Sequence, residues 1–322
     1  MTYSRIIGTG RYLPERIMTN FDLEKIVDTS DEWIRTRTGV ERRHVVEDDQ
    51  TTSDMCVESA KQAMDDAGVT PAEVDMVITG TTSPDVIFPN VSTIIQHRLG
   101  IPACAAFSLE AACSGFIYAL TVADKFIKAG DAKCVLVTGA ECITKLIDWS
   151  DRNTCVLFGD GAGSAIVVPS DEPGILSTAL GADGQYRELL HYPVGVSKEL
   201  AKAGTDDANI IMQGNEVFKV AVKTLGAIAQ AALDKAGVTK EELDWLVPHQ
   251  ANIRIIQAMA KRLDMPKEKV ILTVQDHGNT SAASVPMALD VGRRDGRVKK
   301  GQLVLMEAFG GGFTWGSVLM RM

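Results

Sequence analysis

The feature that most constrains this chain is that it contains its own outline twice. Residues 67–75 read AGVTPAEVD and residues 236–244 read AGVTKEELD, so the second copy begins 169 positions after the first in a chain of 322 residues. Each copy follows an amphipathic pattern that predicts a helix, over about 54–67 and about 216–236. Each then runs into a short apolar strand, MVITGT at 76–81 and WLVPHQ at 245–250. A second match closes the halves. FGDGAGSAIVV at 158–168 and FGGGFTWGSVLM at 309–320 both open Phe-Gly-x-Gly and pass through Gly-Ser into an apolar strand. The strands VLVTG (135–139) and LVLMEAF (303–309) precede these glycine turns. Between the two matches each half carries a further helix, from Cys113 to a C-capping Gly130 and from Ser281 to Gly296.

Two matches in the same order point to duplication, which governs the whole fold. Strands alternating with helices of about 10–18 residues predict crossover connections and largely parallel sheets. The expectation is an α/β protein of stacked layers about a pseudo-twofold axis, with one half over residues 1–172 and the other over 173–322. Residues 183–215 break the pattern and read as an insertion or lid.

Composition narrows the function. With 45% apolar and 23% charged residues the chain can bury a sizeable core, and no apolar run reaches the roughly 18–20 residues of a membrane helix. The N-terminal MTYSRIIGTGRYLPE lacks a signal-peptide core, so a cytoplasmic protein is expected. A net charge of −9 argues against a general nucleic-acid binder, while leaving room for a local basic patch. The six cysteines (56, 104, 113, 134, 142 and 155) form no CxxC and no zinc-like pairing, so they read as free thiols. No metal or organic cofactor is expected.

Overlaying the halves brings three residues of complementary chemistry together. Cys113 and Asn279 fall at nearly equivalent points before their helices, and His249 falls at a strand end, 169 positions after Gly80. Strand ends and helix starts on one side of a sheet are where α/β folds build sites. Cys113, in EAACSGF, sits where unsatisfied N–H groups and the helix dipole favour a thiolate, although a small buried residue at a helix start is the plainer reading. The other five cysteines lack that position and are taken as structural. His249, in WLVPHQAN, is favoured over His277, two residues before Asn279, because the repeat puts it at a strand end. Gly310, Gly311 and Gly312 make a tight turn or, equally, let backbone N–H groups approach a substrate as an oxyanion hole requires. GDGAGS at 159–164 is not a nucleotide loop, because it lacks GxxxxGK[ST] and leads into a strand.

With these residues in view the chain resembles a known family, the β-ketoacyl-acyl-carrier-protein synthases III, which initiate type II fatty-acid synthesis. The resemblance runs nearly end to end through IIGTGRYLPE, TSDEWIRTRTG, EAACSGF, FGDGAG, GNEVFKVAV, DWLVPHQANIRII, HGNTSAASVP and GQLVLMEAFGGGFTWGS. It implies a thiolase-like five-layer α-β-α-β-α fold, a homodimer, and a Cys–His–Asn triad at Cys113, His249 and Asn279. It implies an oxyanion hole from Cys113 and Gly311, and an acyl-CoA starter held near Trp33, Arg37, Arg152 and Asn252. Phe88, in VIFPN, matches the residue that reaches across the dimer to shape the starter pocket. Gln250, Ala251, Asn252, Ile253 and Arg254 match the segment that meets the acyl carrier protein.

Carrier docking also has support from the residues themselves. Arg254 and Lys261 lie seven apart on one expected helix face, and Lys219 and Lys223 four apart on another. Basic faces on an acidic enzyme suit an acidic carrier protein, although solvated helix faces look the same. The expected reaction is a decarboxylative condensation of an acyl-CoA, acetyl-CoA above all, with malonyl-acyl-carrier protein. A synthase of a specialised pathway is the nearest rival. A Cys–His hydrolase is disfavoured because an Asn stands where an orienting acid would, and a silent scaffold because the triad is intact. A thiolase proper is disfavoured because no cysteine follows residue 155.

Overall fold

A computed structural model describes residues 3–205 and 208–322; residues 206 and 207, inside the expected lid, lie outside the described residues. The principal strands are β1 (Tyr3–Tyr12), β2 (Met76–Gly80), β3 (Ala105–Leu109), β4 (Val135–Glu141) and β5 (Gly161–Ser170), then β6 (Ile175–Ala182), β7 (Trp245–Pro248), β8 (Leu303–Gly310) and β9 (Thr314–Arg321). The principal helices are α1 (Asp31–Thr38), α2 (Thr52–Ala67), α3 (Val91–Arg98), α4 (Gly115–Ala129), α5 (Gly214–Ala236), α6 (Ile253–Arg262) and α7 (Ser284–Arg294).

The repeat survives as geometry. Helices α2 and α5 both end on a glycine in the left-handed region, Gly68 and Gly237, each at φ +66°. Each is followed by a single 3-10 turn, Pro71–Glu73 and Lys240–Glu242, closed by a reciprocal capping box on Thr70 and Thr239. Asp75 then accepts the backbone N–H groups of Lys133 and Cys134, just before β4, and Asp244 that of Leu303 at the start of β8.

One sheet has the order β1-β5-β4-β2-β3 and the other β7-β8-β9-β6. Both are mixed, where the helix–strand alternation predicts largely parallel pairing. Only β2–β3, β2–β4 and β7–β8 are parallel; β5 runs antiparallel to β1 and β4, and β9 antiparallel to β6 and β8. The glycine segments are the reason. Gly311–Phe313 closes a direct hairpin between β8 and β9, and residues 142–160 return the chain from β4 to β5 with single turns in place of a crossover helix. Where the first half has β3, the second keeps only one parallel bridge, Leu246 to Val270.

Side-chain alternation sets the layers. Val135 and Val137 of β4 and Val304 and Met306 of β8 point into a shared central core with Phe116 and Leu120 of α4 and Val285 and Leu289 of α7. Leu136 and Ile166 point the other way, onto Met55, Ala60 and Met64 of α2. Leu246, Leu305 and Leu319 meet Leu225 and Leu233 of α5 and Ile256 and Met259 of α6. Strands buried on both faces read as continuous apolar runs, and the result is the α-β-α-β-α stack. The central helices are held close. A Cβ on Gly80 would lie 2.4 Å from the carbonyl carbon of Gly115, so only glycine lets the start of α4 seat on the end of β2.

Candidate active site

Cys113 occupies a 3-10 turn, Ala112–Ser114, between β3 and α4. Ala112 sits at φ +45°, and 169 positions later Ser281 sits at φ +50° in the matching turn before α7. Two non-glycine residues in that strained region, at repeat-equivalent places, mark a pair of elbows. The Cys113 side chain is buried, and burial pushes its thiol up to about 12; its interaction with Ser281 acts in the opposite direction. Desolvation by burial is the largest cause of that rise, and the helix-start effect expected from sequence acts against it.

His249 follows β7, and its backbone N–H donates to the carbonyl of Glu307 at 2.8 Å. The ring is buried, which pushes its pKa down to about 3 and keeps it neutral. Its Nδ1 lies 2.6 Å from Ser284 Oγ at the start of α7, and that oxygen also accepts the Gln250 N–H at 3.3 Å. With Ser284 as the donor to Nδ1, the ring proton falls on Nε2 and leaves an N–H donor on the ring. Asn279 is pinned by its N–H to Leu157 O at 2.8 Å and by its carbonyl to the Gly159 N–H at 3.1 Å. Its Oδ1 accepts the Ser281 N–H at 2.9 Å, so its NH₂ group is also left as a donor.

Cys113, His249 and Asn279 line one cavity of about 500 Å³, with Phe158, Phe309 and Glu307. The arrangement offers a nucleophile and two neutral N–H donors, suited to a carbonyl oxygen that gains charge. A second cavity of about 410 Å³ also opens on Cys113, between Leu146, Leu190, Tyr192 and Ile210, and includes Gly311. A Cβ on Gly310 would lie 2.6 Å from the Cys113 nitrogen, so the glycine run leaves that N–H approachable.

Trp33, Arg37, Arg152, Asn252 and Arg254 line the first cavity too. The Arg152 guanidinium lies 4.8 Å and that of Arg37 5.8 Å from the Trp33 ring centroid, two cation–π contacts. Asn252 also caps α6 by accepting the Ile255 N–H. Arg254 is exposed and lies over Phe218 of α5 at 5.3 Å. Ala251 lines the cavity, and Ile253 packs against Gly39.

Two expectations need revision. Gln250 is fully buried: its amide donates to Pro248 O and Ile271 O and accepts from the N–H groups of Thr273 and Val274, so it braces the loop and presents nothing to a partner. Lys219 is tied to Glu216 at 2.7 Å, which weakens its claim as a docking cation. His277, the competing histidine, lies outside both cavities, with His44 and Arg11 among the groups that act on it. Phe88 is 83% exposed beside exposed Val86 and Ile87, and touches neither cavity of its own chain.

Sequence reasoning missed two buried carboxyls. Glu307 is fully buried with both oxygens unpartnered, and burial alone pushes it up to about 8. Glu141 is buried among hydroxyls near Cys113 and is pushed up to about 7. The available signal was an acidic residue inside an otherwise apolar strand, LVLMEAF and VLVTGAE.

Comparison with known proteins places this geometry in context. Residues 107–184 match the family described as 3-oxoacyl-[acyl-carrier-protein] synthase III, and residues 233–322 match its C-terminal part. A protein of Xanthomonas campestris pv. campestris named β-ketoacyl-[acyl-carrier-protein] synthase III is 58% identical over 319 residues, 99% of this chain and 98% of that protein. The crystal structure of 3-oxoacyl-[acyl-carrier-protein] synthase III from Aquifex aeolicus VF5 superposes with a TM-score of 0.93 at 49% identity, covering 99% of this chain and 100% of that one. The priming β-ketosynthase of the R1128 polyketide biosynthetic pathway superposes at 0.94 with 39% identity, over 99% and 96% of the two chains.

Proposed function

The chain belongs to the β-ketoacyl-acyl-carrier-protein synthase III family, and from that premise we propose how its residues carry out the family's reaction. The enzyme is an acyltransferase that condenses an acyl-CoA starter, acetyl-CoA, with malonyl-acyl-carrier protein. The products are a β-ketoacyl-carrier protein, CoA and CO₂, and the step initiates fatty-acid synthesis. The observation that carries the assignment of roles is the convergence of Cys113, His249 and Asn279 on one cavity.

The reaction has two halves in ping-pong order. Cys113 attacks the starter thioester, the N–H groups of Cys113 and Gly311 hold the tetrahedral oxyanion, and CoA leaves. One such donor contributes about 3–4 kcal/mol. Malonyl-carrier protein then enters the vacated cavity. The His249 Nε2–H and the Asn279 amide donate to its thioester carbonyl, so the enolate formed by loss of CO₂ is stabilised. Its carbon attacks the acyl–Cys113 carbonyl, and the thiolate leaves. Decarboxylation generates the carbanion without a strong base, which suits a neutral imidazole.

The nucleotide end of CoA is assigned to Trp33, Arg37, Arg152 and Asn252. The Arg152 guanidinium lies over the Trp33 indole at 4.8 Å, and these two groups flank the place assigned to the adenine ring. Arg254, Lys261 and Lys223 form the docking face for an acidic carrier protein. The starter cavity is completed in a homodimer by Phe88 from the second subunit, a role supported by its exposure and by the exposed apolar residues beside it. No helix among the described residues is long and apolar enough to cross a membrane, and the enzyme is proposed to work in the cytoplasm with no nucleic-acid partner. A specialised-pathway role is less well supported, because relatives at 56–58% identity are named β-ketoacyl-[acyl-carrier-protein] synthase III while the polyketide priming enzyme is 39% identical.

Intact-protein mass after incubation with acetyl-, butyryl- and isobutyryl-CoA tests the reading. One acyl adduct on the wild type and none on Cys113→Ala is expected, with the acetyl adduct forming fastest. No adduct from any donor would overturn it.

A further inference from the structure

For Cys113 to attack, its S–H proton must go somewhere, and the triad offers no place for it. His249 already carries a proton on Nε2, its Nδ1 is engaged by Ser284, and a second proton would end its use as a neutral donor. Beside the thiol stands Ser281, which lines the second cavity together with Cys113 and acts to lower the thiol's pKa. Its hydroxyl donates onward to Glu141 Oε1 at 3.3 Å. Glu141 is fully buried, and among the described residues it makes no ion pair. Neutral donors hold it instead: the Ser83 hydroxyl at 2.5 Å, the Thr82 hydroxyl at 2.9 Å, the Thr82 N–H at 3.1 Å and the Thr81 hydroxyl at 3.3 Å. A carboxyl kept from water and held by hydroxyls in place of a cation exchanges protons near neutrality.

We propose that Ser281 and Glu141 form the proton relay of the nucleophile, with Ser281 in contact with the sulfur and Glu141 acting through it. As the S–C bond to the starter forms, the Cys113 proton passes to Ser281 Oγ and the Ser281 proton passes to Glu141. The departing CoA thiolate takes its own proton from water. When the new C–C bond forms and the Cys113–acyl bond breaks, the sulfur takes the proton back from Glu141 through Ser281. The cycle consumes one solvent proton, as the overall reaction requires.

The relay deepens the proposed function and rests on Cys113 being the nucleophile. Burial sets Glu141 at about 7, and Glu110 pushes in the same direction. The other titratable groups near it are the Cys113 thiol, Cys142 at the end of its own strand and Cys56 of α2. The test is the single-turnover rate of Cys113 acylation from pH 5.5 to 9, read by intact mass, for wild type, Glu141→Gln, Glu141→Asp and Ser281→Ala. The wild-type rate should rise through an ionisation near pH 7. Glu141→Gln and Ser281→Ala should lower it on the order of 10²-fold and erase that ionisation, and Glu141→Asp should restore it. If Glu141→Gln does not fold, Ser281→Ala, which keeps the buried carboxyl and its donors on Thr81, Thr82 and Ser83, decides alone. A wild-type profile in Ser281→Ala or in folded Glu141→Gln would overturn the relay while leaving Cys113 in place. A wild type that forms no adduct would instead overturn the reading on which the relay rests.

Discussion

Replacing Glu307 by Gln should change how the stability of this protein depends on pH. Glu307 is fully buried, neither oxygen has a partner, and burial alone raises it from an ordinary 4.5 to about 8. An acid raised on folding keeps a proton that the unfolded chain has released, so its share of stability is fully present below pH 4.5. That share is lost as pH rises, until the folded state also ionises near 8. At about 1.4 kcal/mol per pH unit the whole window amounts to roughly 5 kcal/mol, and the stretch from pH 5.5 to 7.5 to about 3 kcal/mol. The amide in Glu307→Gln has its own burial penalty of about 1–3 kcal/mol, but that penalty does not vary with pH. Glu141 and Asp160, raised to about 7 and about 6, are common to both proteins and cancel in the difference. Urea unfolding at one protein concentration, from pH 5.5 to 7.5, should therefore show the variant gaining about 3 kcal/mol on the wild type as pH increases. Parallel stability curves would refute the claim that Glu307 is held neutral by burial.

Three further outcomes are expected. Asn279→Ala should lose malonyl decarboxylation by on the order of 10²–10³-fold while Cys113 is still acylated, and normal condensation by that variant would contradict the donor role. Trp33→Ala should raise KM for acyl-CoA about tenfold and leave the rate with a short thioester lacking the nucleotide unchanged, which steady-state kinetics with both donors would separate. Arg254→Glu should raise KM for malonyl-acyl-carrier protein, and the effect should shrink with added salt; an effect unmoved by salt would remove Arg254 from the docking face.

The helices were legible because their signals are local. Thr51 and Gly68 bound α2, and Gly130 and Gly237 end α4 and α5. The expected bounds 54–67 and 216–236 fall within two residues of those seen. The sheet was misread as largely parallel, because a glycine run states that the chain turns without stating whether it returns beside the strand it left. The duplication gave the elbows at 112 and 281 an address, and so brought Cys113, His249 and Asn279 into one neighbourhood. It could not disclose that Gln250, beside His249, faces inward, since burial depends on Ile271 and Thr273 folding over it. Glu141 meets Ser281 across 140 positions, and Glu307 is alone because no partner reaches it. Neither property belongs to a short window of sequence.

The two elbows also bear on how the enzyme comes into being. The first half supplies the thiol, the second supplies the imidazole, the amide and the hydroxyl beside the sulfur, and the site exists only at the seam. A chain on which only the first half has folded carries the sulfur without the groups that would charge it or guide its product. Such a chain has no working centre to react with the thioesters around it during synthesis. On the proposed roles, chemical competence therefore requires both halves of the chain to be folded together.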